Sequence, residues 1–212
     1  MTSHVGEVMT RNVVSVRKHA QFKDIIQVMR NRHFSAFPVL DADDKVVGVV
    51  SEDDLLVKEI YLGAGVGRGL RVRRADKAKA AALSAAELMT SPAITIGAEA
   101  GVATAARIMH TEHVKRLPVV NDEGTLVGIV SRVDLLGVYD RPDSEIRTEI
   151  LKQVIETGFL LDSLAFKVTV TAGLVTVAGS VDREPVSLSL LAAVKNVDGV
   201  VAVRDRLNYP RA

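Results

Sequence analysis

The chain has 212 residues, 48% of them hydrophobic and 4% aromatic, with no cysteine, no tryptophan and a formal net charge of +1. That length fits one large domain or two smaller ones, and the apolar fraction is ample for a packed core, which argues against wholesale disorder. The missing cysteines exclude disulfides, zinc–thiolate sites, iron–sulfur clusters and thiol nucleophiles, and the balanced charge gives no general argument for nucleic acid.

The first residues, MTSHVGEVMTRNVV, lack a basic segment leading into a long apolar stretch, so no signal peptide is expected. No apolar run approaches the ~18 residues of a membrane span, and the cytoplasm is the expected compartment. In chain order, VVSV at 13–16 reads as a short β-branched strand, and residues 20–30 place Phe22, Ile25, Ile26 and Met29 on one helical face. FPVL at 37–40 is expected to be a strand entered through its proline. A turn follows at DADDK, and then VVGVVS at 46–51, a strand without the polar alternation of a half-exposed one. Asp53 and Asp54 open the next helix, where acids favour the dipole.

Glycines at 63, 65, 67 and 69 predict a mobile loop, the alanine-rich part after Asp76 predicts a helix, and Ser84-x-x-Glu87 resembles a capping box ahead of Leu88 and Met89. Residues 57–86 hold seven Lys/Arg against two acids, a local charge of +5, which leaves the rest of residues 1–145 at −5. This basic run reads first as a solvated linker; with no aromatic inside it to stack on bases, nucleic acid is not the expected partner.

The chain then repeats itself at an offset of eighty. Met9-Thr10 aligns with Met89-Thr90, VVSV with AITI, His33 with His113, and Pro38-Val39 with Pro118-Val119. The face of Val102, Ala105, Ala106 and Met109 matches that of the first helix, and seven of eleven positions in 46–56 are identical in the copy. Each copy is strand–helix–strand–strand–helix. One such unit, about 55 residues, is marginal alone, so the two are expected to pack through their sheets about a pseudo-twofold axis. The remainder, 141–212, departs from the repeat. IRTEILKQVIET aligns Ile146, Ile150, Leu151 and Val154 as an amphipathic helix, FKVTVT and LVTVAGSV form a hairpin around Ala172-Gly173, EPVSLSLLAAVK is a helix, and VVAVRDRL is a last strand. The class is α/β (α+β): two sheet-and-helix repeats plus a small αββαβ domain. The expected division is 1–60 first repeat, 61–83 linker, 84–140 second repeat and 141–212 final domain.

The repeated segments GVVSEDDLL and GIVSRVDLL carry the chemistry. The glycine permits close backbone approach. Ser51 and Ser131 sit at a strand-to-helix junction, where a hydroxyl can cap the helix or bond an oxygen anion beside free N–H groups. Asp54 and Asp134, three residues on, can accept two hydrogen bonds, as the 2′- and 3′-hydroxyls of a ribose require. Helix capping without any ligand is the alternative use of the same residues.

VMTRNVVSV, FPVLDADDKVVGVVSEDDLL, LMTSPAITI and LPVVNDEGTLVGIVSRVDLL together resemble a tandem pair of CBS domains over residues 1–140. The resemblance implies a regulatory module, with no tightly bound cofactor, whose clefts take AMP, ADP, ATP or another adenosyl ligand, and which is often a homodimer. It implies ribose contacts from Asp54 and Asp134 with Ser51 and Ser131 beside them, and base contacts from the twin repeat. Those are Val13, Ser35 and Ala36 for the Asp134 cleft, and Ala93, Lys115 and Arg116 for the Asp54 cleft. Lys115 and Arg116 would favour phosphates, whereas Glu52 and Asp53 would repel them; at the other cleft Arg132 is favourable and Val133 replaces a polar residue.

FKVTVTAGLVTVAGSV and AAVKNVDGVVAVRDRL resemble a BON domain, which implies a phospholipid surface or a protein as partner; on the residues alone Gly179 and Gly199 read as turn glycines that shape the fold. No nucleophile elbow, P-loop or dinucleotide fingerprint is present, His110-x-x-His113 is the only close histidine pair, and no metal or catalytic residue is expected. The two functions in view are a nucleotide sensor and a constitutive scaffold whose clefts no longer bind.

Overall fold

The computed structural model describes residues 3–32, 34–63 and 74–210. The loop expected at the alternating glycines lies, from residue 64 onward, outside the described residues, as does His33. By contacts the chain divides into two compact units, one of Met9–Ala100 and Ile108–Ser131, the other of Met1–Val8, Gly101–Arg107 and Arg132–Ala212.

The repeat at offset eighty is visible in all six strands of the first unit. β1 (Val16–Arg17), β2 (Ala36–Leu40) and β3 (Val46–Ser51) form one sheet, and β4 (Ile96–Gly97), β5 (Arg116–Val120) and β6 (Leu126–Ser131) form its twin. In each, the first strand pairs parallel to the second and the second antiparallel to the third. The first strands are only two residues long, shorter than VVSV and AITI lead one to expect.

Pro38 and Pro118 stand in mid-strand, opposite Val49 and Ile129, rather than at the strand entrance. The hydrogen bonding explains it. Val49 exchanges both backbone bonds with Thr90, and Ile129 does so with Thr10, so their polar groups point away from the proline strands. Each proline nitrogen therefore faces the side of β1 or β4, ahead of the residue where pairing begins, and no ladder bond is lost.

Those same exchanges join the two sheets. Thr10–Ile129 and Thr90–Val49 are one contact seen twice across the pseudo-twofold axis, and the bridge between Lys45 and Thr125 lies on it. Gly48 makes room for Met89: a Cβ there would stand 2.5 Å from the Met89 sulfur, and Gly128 receives Met9 in the same manner. The turns also match. Asp41 and Asn121 accept backbone bonds from Lys45 and Thr125, and Asp44 takes the left-handed conformation that Gly124 takes in the copy.

Beneath the first sheet, α2 (Phe22–Arg32) buries Ile25 and Met29 against Phe37, Val39, Val50, Leu55, Ala82, Ala85 and Leu88. α3 (Glu52–Gly63) follows β3 directly. α4 (Arg74–Ala81) is the helix expected from the alanine-rich stretch. In the capping box ahead of α5 (Ala85–Leu88), the Glu87 carboxylate accepts from the N–H groups of Leu83 (2.7 Å) and Ser84 (3.1 Å). The equivalent Glu7 of α1 (Val5–Val8) accepts from His4 (3.1 Å). The second repeat adds α6 (Val102–Thr111) and α7 (Arg132–Leu136).

The C-terminal part has α8 (Asp143–Glu149), β7 (Lys167–Thr171), β8 (Leu174–Ser180), α9 (Glu184–Lys195) and β9 (Ala202–Asn208), with sheet order β7-β8-β9. Ala172 and Gly173, both at positive φ, close the two-residue hairpin, and Asp143 accepts from both of their N–H groups. The expected amphipathic helix differs from its pattern. After α8 it continues as a π-helix over Ile150–Gly158, so the deeply buried positions are Ile146, Ile150 and Ile155, with Leu151 and Val154 only partly covered. A wider turn rotates each later side chain, which brings Ile155 rather than Val154 under the sheet. Gly179 is likewise a strand residue rather than a turn glycine: a side chain there would stand 2.6 Å from the Phe166 ring. Gly199, at φ +89° against Ile146, is a turn glycine. No helix among the described residues is long and apolar enough to cross a membrane.

Candidate functional site

The junction between β3 and α3 is shaped by the local sequence Ser51-Glu-Asp-Asp54. Glu52, Asp53 and Asp54 fill the first turn of α3, where the free N–H groups favour negative charge. Asp54 turns back to accept from the Ser51 N–H (2.8 Å) and hydroxyl (2.7 Å), so Ser51 and Asp54 cap the helix together. Among the described residues Asp54 is the one buried charged residue, at 8% exposure. Its other oxygen, Oδ1, accepts from the Lys79 ammonium of α4 and from the Thr90 hydroxyl (3.3 Å), and Lys79 also donates to Thr90 (3.0 Å).

This junction is one wall of a solvent-open cleft of about 190 Å³. Across it stand Thr90, Pro92, Ala93 and Ile94 from the start of the second repeat and His113 to Arg116 at the entrance of β5. The cleft gathers Ser51, Asp54, Ala93, Lys115 and Arg116, all expected on this side. It also holds Ser35 and Ala36, which the sequence reading assigned to the Asp134 side. The reason is that β2 and β5 begin side by side: Arg116 donates to the Ser35 hydroxyl, and the Ser35 carbonyl accepts from Glu52 N–H (3.0 Å). Lys115 lies 3.6 Å from Asp53, both exposed, so the acid expected to repel an anion is partly balanced.

Val13 is half-buried, outside this cleft, with its N–H bonded to Arg11. Ser131 closes β6 in the first unit, and Arg132 and Asp134 occupy the first turn of α7 in the second unit. Lys79 and Thr90 are site residues that sequence reasoning missed. Thr90 left a signal, because Met-Thr recurs intact at offset eighty; Lys79 left none, being one cation in a basic run.

Among the described residues no group of three or more His, Cys, Asp or Glu is placed to hold a metal ion. The family model of the CBS domain matches residues 5–59 and 85–141, and that of the BON domain matches residues 142–211. The chain belongs to the CBS family. It is a tandem CBS pair fused to a C-terminal BON domain. Among relatives of this CBS–BON chain, an uncharacterised protein of Methanopyrus kandleri is 28% identical over 148 residues, covering 70% of this chain and 68% of the relative. An uncharacterised protein of Methanocaldococcus jannaschii is 30% identical over 150 residues, covering 62% of this chain and 88% of its own. Among solved structures, CBSX2 of Arabidopsis thaliana in complex with AMP matches with a TM-score of 0.56 at 27% identity, over 64% of this chain and 94% of that one.

Proposed function

We propose that the protein is a regulatory module that binds an adenosine-containing nucleotide in the Asp54 cleft and passes its state to a partner through the BON domain. The observation that carries this reading is the convergence, in one cleft, of the Ser51–Asp54 junction from one repeat with Ala93, Lys115 and Arg116 from the other. The carboxylate suits ribose hydroxyls, and the two cations suit a phosphate. The AMP in the similar CBSX2 structure supports the ligand class. On this reading residues 1–60 and 84–140 are the two repeats, 61–83 a connecting segment and 141–212 the interaction domain. The partner of that domain is a protein or a phospholipid surface, and the setting is the cytoplasm. Leu56 and Ile60, exposed one turn apart on α3, support a homodimer formed through the CBS pair. In the sequence repeat, Ser131 and Asp134 are the counterparts of Ser51 and Asp54.

A ligand-free scaffold is favoured by one observation: Asp54 is fully engaged by protein donors. Titration calorimetry with AMP, ADP, ATP, NAD and S-adenosylmethionine separates the two. Heat and a raised Tm with at least one of them, abolished in Asp54→Ala, is the expected result; silence with all five at millimolar concentration leaves the scaffold.

A further inference from the structure

We infer that Lys79 is a latch on the nucleotide cleft: ribose and the α4 lysine compete for the same carboxylate, so ligand binding releases α4. The inference rests on the nucleotide reading above and adds its regulation.

A carboxylate has roughly four acceptor positions, two on each oxygen. In Asp54 all four are taken: Ser51 N–H and hydroxyl on Oδ2, Lys79 ammonium and Thr90 hydroxyl on Oδ1. A vicinal diol arriving with two donors must therefore displace some of them. The Ser51 bonds belong to the cap of α3, and losing them would strand a backbone N–H. Lys79 and Thr90 are the displaceable pair, since a lysine ammonium finds water readily and a hydroxyl rotates.

α4 is also built to let go. It has only eight residues, too short to be stable by its own hydrogen bonds. Of its described side chains, Lys77, Ala78 and Ala81 are exposed, and Lys79 and Ala80 only half-buried, so little apolar surface holds it down. Firm anchorage begins after its end. Ala82 is buried in the core of the first sheet, and its carbonyl accepts from Lys58 (2.9 Å). The Lys79–Asp54 pair, with side chains 18% and 11% exposed, is thus the principal described polar tie between α4 and the cleft. The local charge agrees: Lys79 meets a helix start bearing Glu52, Asp53 and Asp54. Nucleotide binding would free Lys77 and Lys79 of α4 for another partner.

The test uses the full chain, AMP as the probe, and three proteins: wild type, Lys79→Met, which keeps the aliphatic stem, and Lys79→Arg, which keeps the charge. Calorimetry is read beside hydrogen exchange of residues 74–81. The latch predicts AMP affinity raised about tenfold in Lys79→Met, the scale of a charge-assisted bond removed from competition, with affinity near that of wild type in Lys79→Arg. It also predicts that saturating AMP speeds exchange across α4 in the wild type, and that Lys79→Met shows fast exchange without AMP. Binding by the wild type with equal or weaker affinity in Lys79→Met, or slower α4 exchange on AMP addition, overturns the latch and leaves the nucleotide reading standing. Binding by Lys79→Met alone supports both, and binding by none of the three overturns both.

Discussion

The two copies of the glycine–serine–aspartate junction begin alike and end differently. β3 and β6 have the same register, the same glycine under a methionine and the same threonine exchange, and each runs directly into a helix. After Leu56, however, the first copy has Val57 and α3 continues to Gly63, twelve residues in all. After Leu136 the second has Gly137, and α7 stops at five residues, passing into a short 3-10 turn over Gly137–Tyr139 before Pro142. Glycine weakens a helix by about 1 kcal/mol relative to alanine, and the proline forbids its continuation. The longer α3 carries Lys58 out to bond the Ala82 carbonyl, which helps fix the chain just after α4. In the first copy the capping aspartate thus meets a lysine that lies twenty-five residues later in the chain.

The strongest test of the likeness is steric. Gly48→Val and Gly128→Val each push a side chain into a methionine across the pseudo-twofold axis. Each is expected to cost about 1–3 kcal/mol, read as a matched loss of Tm in thermal unfolding; a large loss at one glycine and none at the other would break the symmetry. Next, Asp54→Ala strands the Ser51 N–H and leaves Lys79 without its carboxylate, a loss of about 1–2 kcal/mol in denaturant unfolding. The same change accelerates exchange in α4, whereas Asp134→Ala leaves α4 exchange as it was. Smaller and of opposite sign, Gly137→Ala meets no atom within 4 Å and requires no positive φ. It is expected to raise stability by about 0.5–1 kcal/mol, with more helix by far-ultraviolet circular dichroism.

The smallest effect is the pH dependence of the capping box. The N–H groups of Leu83 and Ser84 hold the Glu87 carboxyl below its ordinary value of 4.5. A depressed carboxyl contributes in full above that ordinary value and is lost as pH falls through the folded one. The Tm difference between wild type and Glu87→Ala is therefore expected to be constant at neutral pH and to shrink below pH 4.5.

Much of the architecture is legible in the sequence. The offset of eighty paired the sheets, Ser84-x-x-Glu87 marked a helix start, Ala172-Gly173 a hairpin, and Ser51 with Asp54 the cleft. The last three depend on residues a few positions apart, where spacing alone sets geometry, and the first on the recurrence of a whole pattern. The π-turn that puts Ile155 beneath the sheet was not legible, because its pattern is also that of an ordinary helix. Nor was the mid-strand placement of Pro38 and Pro118, which is permitted only by how their neighbours Val49 and Ile129 bond across to the other repeat.

By itself, then, the sequence determined the duplicated fold, its caps and turns, and the acid at the cleft, since short-range periodicity and backbone chemistry specify them. Tertiary structure alone decided that Ser35 sits beside Arg116 and that Lys79 closes on Asp54. Each of those pairs is brought together by chain closure over tens of residues, and a cation in a basic run has no local mark that names the carboxylate it will meet.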